Sequence, residues 1–171
     1  MMEMNDQNIL ESPERPSFLK VLCILTWIYT GLSFIVTLGA FFQGPLNEEE
    51  MTYQKVELAK STSEMRDMGM NSLADTFDQV QRMSETTNEH FYISSIITLL
   101  VIIIGILGVY FMWVGRKMGF HMYIVYNLLT IGQLYIFISP SDIPTFAVVW
   151  NLLFSAVFIF MYSRNLKWMT D

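Results

Sequence analysis

The sequence predicts an all-α fold: an integral membrane four-helix up-down bundle with an extracytoplasmic helical hairpin between spans one and two. Four runs free of Asp, Glu, Lys and Arg, at 21–47, 91–115, 118–141 and 143–163, predict the spans. Each is long enough to cross a bilayer core, which takes about 20 apolar residues. Composition agrees, with 53% apolar and 15% charged residues, against roughly 45–50% and about 25% in soluble domains. The runs also lack the polar face that a soluble core helix turns to water. The segment 46–90 has the opposite character, with ten acids against four bases, and belongs in water.

Residues 1–17 are polar, acidic and broken by Pro13 and Pro16, which predicts a flexible cytoplasmic tail. Residues 18–171 then form one membrane domain. Span one (about 18–42) is expected to be a retained anchor, because its flank is acidic, its run is long and no A-x-A-like cleavage site follows. It ends at Gly44-Pro45, since proline lacks an N–H and disfavours helix in the residue before it. Asn47 suits an N-cap, and Glu48, Glu49 and Glu50 fall in the first turn, where the helix dipole favours negative charge. Met51, Leu58 and Met65 recur along one arm, Met68 to Asn71 reads as a turn, and Leu73, Phe77, Val80 and Ser84 continue with helical spacing. Residues 45–90 therefore predict a helical hairpin with two thin apolar stripes facing each other. Without Gly or Pro from 71 to 104, the second arm is expected to run unbroken into span two (about 91–114). That joined helix, 71–114, would be roughly 66 Å long at 1.5 Å per residue. Its weak point is Thr86, Thr87 and Asn88, three poor helix formers. Gly115 suits the left-handed position after a helix end, and turns the chain into span three (about 119–138). Asp142 is expected to cap span four (about 144–163), with Pro144 in its first turn. Loops this short permit only antiparallel neighbours.

Basic residues in short loops set orientation. Arg15, Lys20, Arg116, Lys117, Arg164 and Lys167 gather on one side, and the short loop on the other has none. This predicts cytoplasmic N- and C-termini, with Trp27, Trp113, Trp150 and Trp168 near span ends as interfacial anchors. The net charge of −6 excludes a nucleic-acid partner and supplies no polybasic patch for anionic lipid. Cys23, the one cysteine, lies in span one, so no intramolecular disulfide forms.

In lipid, small and weakly polar residues must supply helix packing. At 100° per residue, Cys23, Thr26, Thr30, Ser33 and Thr37 share one face of span one, and Ser94, Thr98, Gly105, Gly108 and Met112 share one of span two. Tyr123, Tyr126, Asn127, Thr130 and Gln133 mark the inner side of span three; Asn151, Ser155 and Tyr162 mark that of span four. Asn127, Gln133, Asn151 and Ser155 are the candidate interhelical polar contacts. Gln133 and Asn151 fall at the same depth and are expected to hydrogen-bond, a contact worth about 0.6–2 kcal/mol.

No intramembrane charge marks an ion- or proton-coupled carrier, and His90 and His121 sit at span ends. No G-x-S-x-G, H-E-x-x-H or phosphate loop occurs, so no enzyme and no cofactor is expected. Met65, Met68 and Met70 combine M-x-x-M and M-x-M spacings, and thioethers suit Cu(I). In a chain with 13 methionines they read first as packing residues. The run RPSFLKVLCILT at 15–26 resembles the opening of the first span in uncharacterised small multi-span proteins common in Bacteroidota, R-P-[ST]-F-L-x-V-L-C-I-L-[ST]. The resemblance implies a bacterial inner-membrane protein and transfers no functional residue. The function expected is a non-enzymatic interaction or accessory subunit recognised through its acidic hairpin, with the lipid bilayer and a protein partner or a second copy as its contacts. The alternatives are a small-solute or ion conduit through the polar interior, and Cu(I) handling at the Met-rich turn.

Overall fold

A computed structural model describes residues 15–170. Most of the tail expected at 1–17 lies outside the described residues, and Ser17 already opens the first helix. The regular elements among the described residues are all helices, in the order α1 (Ser17–Gln43), α2 (Glu48–Asp67), α3 (Asn71–Glu89), α4 (Phe91–Trp113), α5 (Lys117–Gly132), α6 (Leu134–Phe137) and α7 (Thr145–Ser163). A 3-10 turn, Pro140–Asp142, separates α6 from α7. Three of these helices, α1, α4 and α7, are long and apolar enough to cross a membrane.

Turn chemistry sets the boundaries. Gly44, Gly69 and Gly115 all adopt positive φ, near 80°, where a side chain would be strained. The Gly44 N–H closes α1 on the Ala40 carbonyl at 3.0 Å. Asn47 then opens α2 with a capping box: its Oδ1 accepts from the Glu50 N–H at 2.8 Å, and its own N–H donates to Glu50 Oε2 at 3.0 Å. Such a cap contributes about 1 kcal/mol.

α2 and α3 pack side by side and antiparallel, with Arg66 reaching Asp75 and Asp78, and Lys55 reaching Glu85. Their interface keeps part of the expected stripes, with Met51, Leu58, Met65, Phe77 and Ser84 half-buried, and departs from them elsewhere. Leu73 and Val80 point outward, while Ala74 and Thr62 are the buried residues of the pair. Small side chains at the contact let the two axes approach, which the bulkier Leu and Val would prevent.

The helix expected to run unbroken from 71 to 114 is interrupted at His90, whose backbone (φ −109°, ψ 24°) leaves the helical region. The break falls just past the weak stretch at 86–88, where Thr86 and Thr87 bond carbonyls of their own helix and other elements hold Asn88 and His90. Asn88 bonds both the N–H and the carbonyl of Leu46, and the His90 ring stands edge-on to Phe137 at 5.0 Å. The ladder resumes at once, with the Ser94 N–H on the His90 carbonyl. The third apolar run also departs from expectation, dividing at Gln133 into α5 and α6. Gln133 itself stays helical, and the Ile136 N–H bonds its carbonyl three residues back, a local tightening of the helix.

α4 is the central element, flanked by α1 and α5. It crosses α5 with backbones in contact, because a methyl on Gly119 would overlap the Gly108 carbonyl and the Met112 amide nitrogen. A methyl on Gly105 would come within 2.8 Å of the Tyr126 ring. The tightest packing lies toward the Gly115 end, where Leu19, Leu22, Cys23, Val109, Met112 and Tyr162 are fully buried. There the C-terminal segment folds under the bundle. The Thr170 N–H donates to the Gly115 carbonyl at 2.7 Å, and the Lys117 N–H to the Thr170 carbonyl at 3.0 Å. Trp168 covers Gly115, and the Arg15 guanidinium lies 4.0 Å from the Trp113 ring centroid, a cation–π contact.

At the opposite end, Arg82 Nε donates to Asp142 at 2.6 Å and Gln79 Nε2 to the Ser141 carbonyl at 3.0 Å. Asp142 was expected to cap the last helix. It is an ion-pair partner of α3 instead, and α7 starts from Pro144 without a side-chain cap.

Candidate functional site

Helices α1, α5 and α7 enclose a cavity of about 480 Å³. Its position follows from how α7 packs. Toward its C-terminal end α7 inserts Tyr162, fully buried, against Tyr123 at 4.9 Å between ring centroids. The Tyr162 and Thr26 hydroxyls are 2.8 Å apart. Nearer its N-terminal end, α7 exposes Leu153 and Trp150 and leaves a gap beside α1 that Phe154 helps to line. The Thr26–Tyr162 pair therefore forms a floor, with the fully buried Leu22 and Cys23 beyond it.

Thr26 and Tyr29 from α1, Tyr126, Asn127 and Thr130 from α5, and Asn151 and Ser155 from α7 supply the polar lining. Leu25, Phe154 and Phe158 supply the apolar part, and among the described residues no acidic or basic side chain lines the space. Much of this polarity is engaged within its own helix. Thr26 donates to the Leu22 carbonyl, Asn127 Nδ2 to the Tyr123 carbonyl, and Thr130 to the Tyr126 carbonyl, at 2.7–3.0 Å. Such bonds let polar side chains lie in an apolar surrounding, where an unpaired one is costly. Ser155 reaches Asn151 Oδ1 at a long 3.4 Å, and the Asn151 amide N–H groups have no acceptor among the described residues.

The pairing expected between Gln133 and Asn151 does not form. Gln133 Oε1 accepts from Thr98 of α4 at 3.4 Å and lines a separate, smaller space of about 180 Å³ with Ser94, Ser95 and Phe137. Asn151 faces the larger cavity. The two share a depth but not a direction, because Gln133 sits at the α5–α6 break and faces α4. Of the four sequence-chosen polar residues, the larger cavity brings together Asn127, Asn151 and Ser155 and leaves Gln133 out. Sequence reasoning assigned Thr26, Tyr126 and Thr130 to inward faces without joining them into a site, and it missed Tyr29. Tyr29 is one helical turn from Thr26 (i, i+3), the signal that would have found it.

The Met-rich turn has no such enclosure. Met65 is half-buried on α2, while Met68 and Met70 are exposed on either side of Gly69. Among the described residues no group of three or more His, Cys, Asp or Glu side chains is placed to hold a metal ion.

Compared with protein-family models, curated proteins and solved structures, the chain matches none.

Proposed function

We propose that the chain is a four-span protein of a bacterial inner membrane, with both termini cytoplasmic, acting as a non-enzymatic interaction or accessory subunit through an extracytoplasmic α2–α3 hairpin. The span added to α1, α4 and α7 is α5 with α6, third in chain order. Supporting this, Gly115 and Lys117 at one end of the α5–α6 segment bond the C-terminal Thr170. Phe137 at the other end meets His90, where α4 begins. The segment thus runs the length of α4 in the opposite direction, roughly 31 Å at 1.5 Å per residue, enough for the hydrocarbon core. Six Lys and Arg in the chain ends and the α4–α5 connection, against none in the α6–α7 connection, support the orientation.

The observation that carries the recognition reading is how the hairpin is held. Arg82–Asp142, Gln79–Ser141 and the two-way bond between Asn88 and the Leu46 backbone fix it to the loops around it. A surface held in one pose loses less entropy when a partner binds. The outer face of α2 presents Tyr53, 71% exposed, and Val56, 65% exposed, beside Glu49, Glu57 and Lys60. An aromatic anchor ringed by acids suits a partner with an apolar pocket and a basic rim. A photo-crosslinking residue at Tyr53 should capture one partner band, and Tyr53→Asp with Val56→Asp should abolish its co-purification in mild detergent. No specific band, or co-purification unaffected by the double substitution, contradicts the reading.

The second reading, a small-solute site, draws on the α1–α5–α7 cavity. A conduit would need the Thr26–Tyr162 floor to open, and proteoliposome flux is the measurement that decides it.

A further inference from the structure

The cavity between α1, α5 and α7 combines three properties that together describe a ligand. The first is access. Leu25 and Tyr29 on α1 and Phe154 on α7 are all at least half exposed and lie midway along their helices. The mouth therefore opens sideways at mid-bilayer depth, on the membrane placement proposed above. The Thr26–Tyr162 contact closes the floor. A molecule enters from the hydrocarbon and leaves the same way.

The second property is charge. The lining offers hydroxyls and amides only. An ion at this depth would be desolvated without a counter-charge, a penalty of several kcal/mol even after relaxation. The ligand is neutral. The third is the donor set and the shape. With Thr26, Thr130 and the Asn127 amide committed to backbone carbonyls, the Asn151 N–H groups and the Tyr29 and Tyr126 hydroxyls of the lining have no acceptor among the described residues. Donors on facing helices, Asn151 on α7 and Tyr29 on α1, call for an acceptor oxygen, most simply a carbonyl. The walls beside them are the rings of Tyr126, Phe154 and Phe158, which favour a flat ring by stacking. A volume of about 480 Å³ falls within the usual range for small-molecule sites, and holds a ring with a short tail.

We propose that this cavity binds an uncharged, membrane-soluble amphiphile with a carbonyl-bearing ring, its oxygens accepting from Asn151 and Tyr29 and its tail leaving between α1 and α7. Lipid esters supply the same acceptor chemistry without the ring, so the test includes both kinds.

The full-length protein is inserted in phosphatidylcholine nanodiscs, and equilibrium binding of radiolabelled ubiquinone-1 and of monoolein is measured against empty discs. The expected result is saturable binding of ubiquinone-1, one per chain, with monoolein far weaker. Asn151→Leu should weaken it about five- to tenfold, the equivalent of one hydrogen bond. Ser155→Phe, which fills the space, should abolish the saturable component while the protein stays helical and in the disc. Binding no greater than in empty discs overturns the proposal, as does full-strength binding by both variants. Monoolein binding in place of ubiquinone-1 overturns the ring assignment. A chain that does not remain with the disc at all refutes the membrane placement, a separate outcome from an inserted chain that fails to bind. If Ser155→Phe does not fold, Thr130→Leu, which also fills the cavity, takes its place with the same expected loss.

Discussion

The α4–α5 crossing gives the sharpest stability prediction, because backbone meets backbone there. A methyl at Gly119 overlaps the Gly108 carbonyl and the Met112 amide nitrogen, and neither can rotate away as a side chain can. Relief requires the two helices to separate. Overpacking of this kind costs about 1–3 kcal/mol, and rigid backbone neighbours put Gly119→Ala at the upper end. The intrinsic gain of Ala over Gly in a helix, up to about 1 kcal/mol, offsets part of it. The expected net loss is about 2 kcal/mol. Gly31 and Gly39 of α1 have open space where a Cβ would stand, so Gly31→Ala and Gly39→Ala should be neutral or stabilising by up to about 1 kcal/mol. Gly105→Ala meets the Tyr126 ring, which can turn, and should fall between, near 1 kcal/mol lost. The assay is equilibrium unfolding from dodecylmaltoside micelles by SDS, followed by far-ultraviolet circular dichroism. If Gly119→Ala and Gly39→Ala agreed within about 0.5 kcal/mol, the usual spread of innocuous substitutions, the close crossing would be refuted.

Other expectations follow from the hydrogen bonds and can be measured the same way. A double-mutant cycle with Thr26→Val and Tyr162→Phe should give a coupling of about 0.6–1.7 kcal/mol, and zero coupling would remove the cavity floor. Gln133→Leu and Asn151→Leu should be additive within about 0.5 kcal/mol, whereas Gln133→Leu and Thr98→Val should not. Arg82→Ala removes a largely exposed ion pair and should cost under about 1 kcal/mol of stability. It should nevertheless broaden the distance distribution between spin labels at Gln81 and Thr145 in a Cys23→Ala background; an unchanged distribution would show that the Asp142 contact does not hold α3.

What the sequence made legible were features that depend on one stretch of chain. The three long apolar helices, the helix end at Gly44, the turn around Gly69, the left-handed Gly115 and the Asn47 cap are set by local chemistry, and each appears where its residues predict. The inward face of α1 was also readable, since Cys23, Thr26 and Thr30 share one side at helical spacing and are buried. Features that need the rotation of one helix relative to another were not. Gln133 and Asn151 could be matched in depth but not in direction. The inner face of α3 turned on the closeness of α2, which favours Ala74 over Leu73. No local signal announced that Thr170 would bond Gly115, or that Asp142 would prefer Arg82 to its own helix. The cavity belongs to this second group, because its lining comes from three helices, α1, α5 and α7.

The four-span arrangement requires the segment from Lys117 to Phe137 to cross the bilayer, and side-specific labelling tests that directly. In a Cys23→Ala background, Arg116→Cys, Ser141→Cys and Lys167→Cys are each exposed to a membrane-impermeant maleimide on intact spheroplasts. The account predicts that Ser141→Cys labels at once, and that Arg116→Cys and Lys167→Cys label only after lysis. If Arg116→Cys and Ser141→Cys reacted from the same side, the chain between them would not cross, and the four-span arrangement would be wrong.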